Sequence, residues 1–222
     1  IAARFPAPRT ALVRNYPLLD EFPSFRPDRK HGRPIVAYVG GISPVRGSTA
    51  MVSAMEYVTC GARLDLAGPV TPATHLSELA ATHGWQRCRH TGTLDRAGVA
   101  TLLGSAHLGL VLLSPTPAYR EALPVKMFEY MAAGLPVLAS DIPLWREILA
   151  QTEAGLTVDP SDPKAIAAAI DHILGNPELA AEMGQRGRAA VIESLNWESE
   201  ARALIALYDQ ILNPRPQPIA AE

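Results

Sequence analysis

Residues 34–47 read Pro-Ile-Val-Ala-Tyr-Val-Gly-Gly-Ile-Ser-Pro-Val-Arg-Gly, and a helical pattern at about 47–58 follows them. A short apolar run, a glycine turn and a helix start form one strand-to-helix unit. The same unit then repeats along the chain. Apolar runs at 35–39, 63–67, 87–91, 108–113 and 136–139 alternate with helical patterns at about 47–58, 74–83, 95–104, 123–133 and 143–149. Such alternation predicts an α/β fold: a Rossmann-like parallel sheet with helices on both faces and right-handed crossovers.

Beyond this rhythm the pattern changes. A short run at 155–158 precedes two helices with strong start signals. Asp162 before Pro163 reads as a cap and first helical position, Ile166, Ile170, Ile173 and Leu174 form one apolar face, and Gly175 ends it. Asn176 before Pro177 repeats that start, and a last helix is expected from Asn196 to about Leu212. Toward the N-terminus, Pro6, Pro8, Pro17, Pro23 and Pro27 break regular structure. The expected organisation is a connector over 1–33, one sheet domain over 34–195, a C-terminal helix over 196–212 and a flexible tail over 213–222. The chain opens on Ile1 in the proline-containing stretch, which reads as a piece of a longer protein.

With 48% hydrophobic and 19% charged residues, the chain can build a core and is not globally disordered. A net charge of −2 gives no general attraction to nucleic acid or anionic membranes, so any anion site must be local. Cys60 and Cys88 have neither metal nor redox spacing and suggest a reducing compartment. The six His are scattered and no D-x-D pair is present, so no metal ligand is expected.

In an open parallel sheet, ligands bind beyond the carboxyl ends of the strands. That rule selects the loops 40–47, 92–95, 114–123 and 140–143. The first holds Gly40 and Gly41, where a ligand can approach backbone closely. It also holds Arg46, a fork of donors suited to phosphate, just before a helix N-terminus. A tight turn with a solvated Arg46 accounts for the same residues. The spacing GGxxxxxG is not the dinucleotide fingerprint GxGxxG, which argues against a nicotinamide dehydrogenase.

Residues 121–137 read EALPVKMFEYMAAGLPV. Pro124 suits the first turn of a helix whose Val125, Phe128 and Ala132 face the sheet. Glu121 then lies before that helix and Glu129 more than one turn inside it, two carboxylates at different depths along one cleft wall. Lys126 in the first turn opposes the helix dipole unless an anion sits there. The alternative is a solvated Lys126 and a surface ion pair at Glu129. His90 reads either as a structural histidine or as a phosphate or base contact. Trp145, Trp197, Phe128 and Met131 read as packing.

Taken together, these segments resemble the large group of retaining glycosyltransferases known as glycosyl transferases group 1. The pair Glu121/Glu129 in E-x7-E spacing followed by EYMAAGLPV looks like its signature. YVGGISPVRG (38–47), LAGPV (66–70), HTGTL (90–94), AGLTVDPSDPKAIAAAI (154–170) and LNWES (195–199) resemble further blocks in order. The resemblance implies a GT-B architecture of two facing Rossmann-like domains, this one binding a nucleoside-diphosphate sugar. Glu121 and Lys126 would be the catalytic residues, Glu121 touching donor-sugar hydroxyls. Glu129 would accept bonds from the ribose. Arg46 and Lys126, with backbone N–H groups near Gly41 and Leu123, would neutralise the diphosphate. Thr93 and Leu94 would lie near the base, and Gly40, Ala122, Leu123, Pro124 and Val125 would complete the donor wall.

The family implies no cofactor and no metal, with retention through front-face attack assisted by the leaving phosphate. Its implied partners are the donor and an N-terminal acceptor domain in cis, without nucleic acid. It implies a cytoplasmic location, with the acceptor domain as the part able to meet the inner face of the membrane. The chain departs from the pattern at Gly41, where many members carry Arg, and at Arg46, where Lys is usual. Asn15-Tyr16-Pro17 fits the usual end of the connector. On these readings the chain alone is inactive, or nearly so. The competing readings are a nucleotide-sugar epimerase of the same architecture and a non-catalytic nucleotide-sugar module. The E-x7-E block argues against the first, and intact Glu121, Lys126 and Glu129 against the second.

Overall fold

A computed structural model of the chain describes residues 11–22 and 32–213. The prolines at 6, 8, 23 and 27 and the tail beyond Asn213 lie outside the described residues.

Six parallel strands form one sheet in the order β3-β2-β1-β4-β5-β6. They are β1 (Ile35–Val39), β2 (Arg63–Ala67), β3 (Cys88–Gly92), β4 (Leu108–Val111), β5 (Val137–Ser140) and β6 (Gly155–Val158). The helices are α1 (Ser48–Ala54), α2 (His75–Ala80), α3 (Arg96–Ser105), α4 (Pro117–Arg120), α5 (Val125–Ala132), α6 (Pro143–Thr152), α7 (Pro163–Leu174), α8 (Pro177–Glu193) and α9 (Trp197–Leu212). The strand order reverses between β1 and β4, which opens a crevice beyond their carboxyl ends.

Both faces of the sheet are covered, as a parallel sheet requires. Side chains alternate along each strand. Ala37, Ala67, Val111, Val137 and Ala139 face α3, α5, α6 and α8, while Val36, Tyr38, Leu64, Leu66, Leu108 and Leu110 face α1, α2 and α7. The segment 11–22 joins the first layer: Tyr16 meets Phe128 edge-on with centroids 4.7 Å apart, and Phe22 is buried. The same segment is tied to α9. Trp197 N–H donates to the Pro17 carbonyl at 2.9 Å, and Arg14 N–H donates to Glu200 at 2.8 Å.

Local signals explain most element bounds. Asp162 accepts from the N–H groups of Lys164 and Ala165 and so starts α7, and Asn196 accepts from Ser199 and starts α9. Asn176 precedes α8 as expected, but its amide donates to the His172 carbonyl instead of capping. Three other expectations need correction. Pro124 is not in the first turn of α5: it is extended (φ −78°, ψ 106°), and the helix begins at Val125. The run at 108–113 leaves the ladder after Val111 although Leu112 and Leu113 stay buried. The short helix α4 lies inside the predicted 114–123 loop.

Candidate functional site

The site begins where β1 ends. Tyr38 lies within the core, and its Oη donates to the Gly41 carbonyl at 2.8 Å, curling the loop back over the strand end. Gly40 sits at φ +133°, a conformation that favours glycine. A Cβ there would lie 2.8 Å from Lys126 Nζ. The bare Cα of Gly40 therefore makes the space into which the lysine reaches from α5. Pro44–Arg46 forms a tight 3-10 turn, Gly47 takes the left-handed conformation, and α1 starts at Ser48. Arg46 folds back so that its guanidinium covers Gly41.

Lys126 is the most perturbed group of this cluster. Its Nζ is buried, has no hydrogen-bond partner among the described residues, and lies 4.0 Å from the centroid of the Tyr38 ring. The ring face gives a cation some compensation. Burial nevertheless drives the ammonium down to about 7, with the Arg46 cation adding to the push and Glu129 opposing it. Burial likewise pushes the Tyr38 phenol up to about 12, against the Arg46 charge. Two cations beside two glycines, one of them desolvated and unpaired, form an arrangement that an anion would relieve.

The loop after β1 and the loop before α5 also carry backbone donors. The N–H groups of Gly41 and Leu123 enter no hydrogen bond among the described residues. The Ala122 carbonyl oxygen accepts from Trp145 Nε1 at 2.8 Å. Trp145 thus packs as expected, and its buried indole also anchors the loop between α4 and α5. Glu121 ends α4 with its side chain exposed and without an ion pair or hydrogen bond among the described residues.

One tyrosine fixes the depth of α5. Tyr130 is fully buried, and its Oη accepts from the Val39 N–H at 2.9 Å. Its ring beds on Gly109 of β4, where an added Cβ would lie 2.3 Å from the ring. Because Tyr130 follows Glu129 and lies one turn after Lys126, this contact sets where both charged residues sit relative to β1.

Glu129 is 9% exposed, and its Oε1 accepts from Arg96 at 2.9 Å. Arg96 was not among the residues selected from the sequence. It stands at the first position of α3, two residues beyond Leu94, after Asp95 has capped that helix through the Gly98 N–H. Thr93 is exposed and Leu94 half-buried at this helix start. Val125 is half-buried and Pro124 buried between the two carboxylates. His90 Nε2 lies 2.9 Å from the Gly68 carbonyl oxygen, a contact that ties β3 to the end of β2. The structure thus gathers Gly40, Gly41, Arg46 and Lys126 into one cluster, with Glu129 one helical turn further along α5 beside the start of α3.

A depression of about 560 Å³ opens beside this cluster, lined by residues 41–46 and Thr71. Among the described residues, no group of His, Cys, Asp and Glu could hold a metal ion, and no helix is long and apolar enough to cross a membrane.

Comparison with known proteins gives a consistent result. The family model of glycosyl transferases group 1 matches residues 21–190. Alpha-maltose-1-phosphate synthase of Mycolicibacterium smegmatis is 27% identical over 190 residues, covering 81% of this chain and 48% of that protein. A phosphatidyl-myo-inositol mannosyltransferase of Mycobacterium leprae is 31% identical over 126 residues, 57% of this chain and 32% of that protein. Among solved structures, sucrose-phosphate synthase from Thermosynechococcus elongatus superimposes with a TM-score of 0.79 at 27% identity, over 96% of this chain and 56% of that one. HepE of Anabaena, solved with UDP and glucose, matches in fold with a TM-score of 0.76 at 14% identity, over 90% of this chain and 57% of that one. The chain spans about half the length of the curated relatives that match most of it.

Proposed function

The chain belongs to the family of glycosyl transferases group 1, with the Rossmann-like sheet of GT-B glycosyltransferases, and from that premise we propose that it is the donor-binding part of a retaining enzyme moving a sugar from a nucleoside diphosphate to an acceptor. The observation that carries this reading is the buried, unpartnered ammonium of Lys126 beside Gly40 and Arg46 at the crevice between β1 and β4. A diphosphate satisfies every feature of that cluster. It pairs with two cations, accepts from the Gly41 and Leu123 N–H groups, and approaches a backbone cleared of side chains.

In this reading Glu129 accepts from ribose hydroxyls, and Thr93 and Leu94 flank the base. The exposed carboxylate of Glu121 is free to meet the donor sugar. Lys126 and Arg46 stabilise charge as it builds on the leaving diphosphate, in a site already organised for it. The acceptor's proton passes to the leaving phosphate oxygen as the new glycosidic bond forms on the face from which the diphosphate departs. No metal is required, because the two side chains supply the positive charge.

The acceptor is held by a separate N-terminal domain that meets this one through residues 11–22 and α9. Exposed Ile205, Tyr208, Ile211 and Leu212 on α9 support that contact. Without the acceptor domain the chain binds donor weakly and transfers little.

Calorimetry of the chain against UDP, GDP, ADP and their sugar derivatives tests this reading. Binding of one nucleoside diphosphate and its sugars, lost in Lys126→Ala, is the expected result. Binding of NAD without any sugar nucleotide overturns it.

A further inference from the structure

Arg96 is shared by two carboxylates from different parts of the chain. Its Nη1 lies 2.9 Å from Glu129 Oε1 on α5 and 3.4 Å from Glu21 Oε2. A cation at the first position of α3 opposes the helix dipole, so the two acids hold it there and the helix does not. The Arg96 side chain is 67% exposed, against 12% for Glu129 and 24% for Glu21. Arg96 is thus the outward member of the three. Glu21 closes the 3-10 turn Leu19–Glu21, which packs on α3 and belongs to the segment read as the interdomain connector. Its Oε2 is buried and makes no hydrogen bond, since 3.4 Å is an ion-pair approach only.

We propose that Arg96 is a positioning residue that couples occupancy of Glu129 to the connector turn at 19–21. The inference rests on the reading of Glu129 as the ribose carboxylate. Glu129 keeps only 12% of its side chain exposed, and Arg96 already donates to its Oε1. A ribose hydroxyl that donates to Glu129 competes with the arginine for that carboxylate. The guanidinium, a rigid fork of donors, then closes on Glu21, whose oxygen lacks a bond. Donor binding thereby tightens the stretch of chain that leads toward the acceptor half.

Hydrogen exchange of the chain tests this. The reporter is the Phe22 amide, which donates to the Leu19 carbonyl at 3.2 Å. With saturating UDP, GDP or ADP, whichever calorimetry selects, its exchange should slow about threefold, the scale of one exposed ion pair. Inorganic pyrophosphate, which offers the phosphate groups without a ribose, should leave it unchanged. Arg96→Ala should abolish the slowing with nucleotide still bound at saturation, and Arg96→Lys should restore part of it. Absence of slowing in the wild type with nucleotide bound, slowing that survives in Arg96→Ala, or equal slowing by pyrophosphate overturns the coupling and leaves the ribose reading intact. That reading fails separately, and the coupling with it, if Glu129→Gln binds the nucleotide as tightly as wild type or if no nucleotide binds.

Discussion

Lys126 Nζ stands 4.0 Å above the centre of the Tyr38 ring, in a space that exists because residue 40 has no side chain. The ammonium faces an aromatic below, a guanidinium beside it, and no hydrogen-bond acceptor among the described residues. Its charge is therefore costly in the free protein and stabilised by an anion.

Proton uptake on binding follows from this. With its pKa held near 7 in the free protein, Lys126 is mostly neutral at pH 8. A bound sugar nucleotide, whose diphosphate diester does not titrate between pH 6 and 8, restores the charge, so its binding should take up about 0.9 proton at pH 8 and about 0.1 at pH 6. Affinity falls as pH rises through 7. Calorimetry in buffers of different ionisation enthalpy measures the uptake directly; equal, near-zero values at both pH values would contradict the assignment.

Lys126→Met should stabilise the free chain while weakening diphosphate binding. The folded pKa lies below the unfolded one, so the lysine destabilises the fold at neutral pH, and that cost disappears as pH rises toward 10.5. A depression from 10.5 to about 7 corresponds to about 5 kcal/mol at 1.36 kcal/mol per pH unit. Methionine should recover about 1–2 kcal/mol of it near pH 7, read as a higher urea midpoint, and little above pH 10. A lower midpoint at pH 7 would show that the lysine is held by contacts rather than strained.

Gly40→Ala should affect fold and binding together. The φ of +133° is strained for alanine, at about 1–3 kcal/mol, and the new methyl must displace Lys126 Nζ. Diphosphate affinity should fall about tenfold more than nucleoside affinity, since one charge-assisted contact is worth about 1.5–3 kcal/mol. Equal losses for both ligands would place the phosphates elsewhere.

Glu121→Gln, made in a protein that carries the proposed acceptor domain, should lower turnover about 10²-fold, the scale of one lost polar contact in the transition state. Nucleotide binding should change little, because the Glu121 carboxylate has no hydrogen bond or ion pair among the described residues. Steady-state kinetics beside nucleotide titration separates the two. Undiminished turnover would remove Glu121 from the mechanism.

The parts of the fold that the sequence made legible are those written locally. β1, β2 and β6 match their apolar runs residue for residue, and Pro163 and Pro177 mark the first residues of α7 and α8. β3 is displaced by one residue from 87–91 because its Arg, His and Thr give little hydrophobic contrast. α4 escaped because four residues are too few to show a helical period. In the site, Arg46, Lys126 and Glu129 stood out by charge type beside a predicted strand end or helix start.

Two contributors were missed for different reasons. Tyr38 looked like an ordinary inward strand residue, and only the tertiary fold reveals the lysine above it. Arg96 carried the same local signal as Lys126, a cation in the first turn of a helix. Applied to α3, that argument would have found it.

The seat of Tyr130 on Gly109 gives one position unusual leverage. Residue 109 lies behind the Tyr130 ring and stands in a strand that elsewhere accepts leucine and valine. Any methyl group added there would lift α5 off the sheet, carrying the cation and the inner carboxylate with it. A random-mutation screen for lost sugar transfer should therefore recover changes at 109, in proteins that still fold. A library meant to redirect donor preference should keep that glycine unvaried.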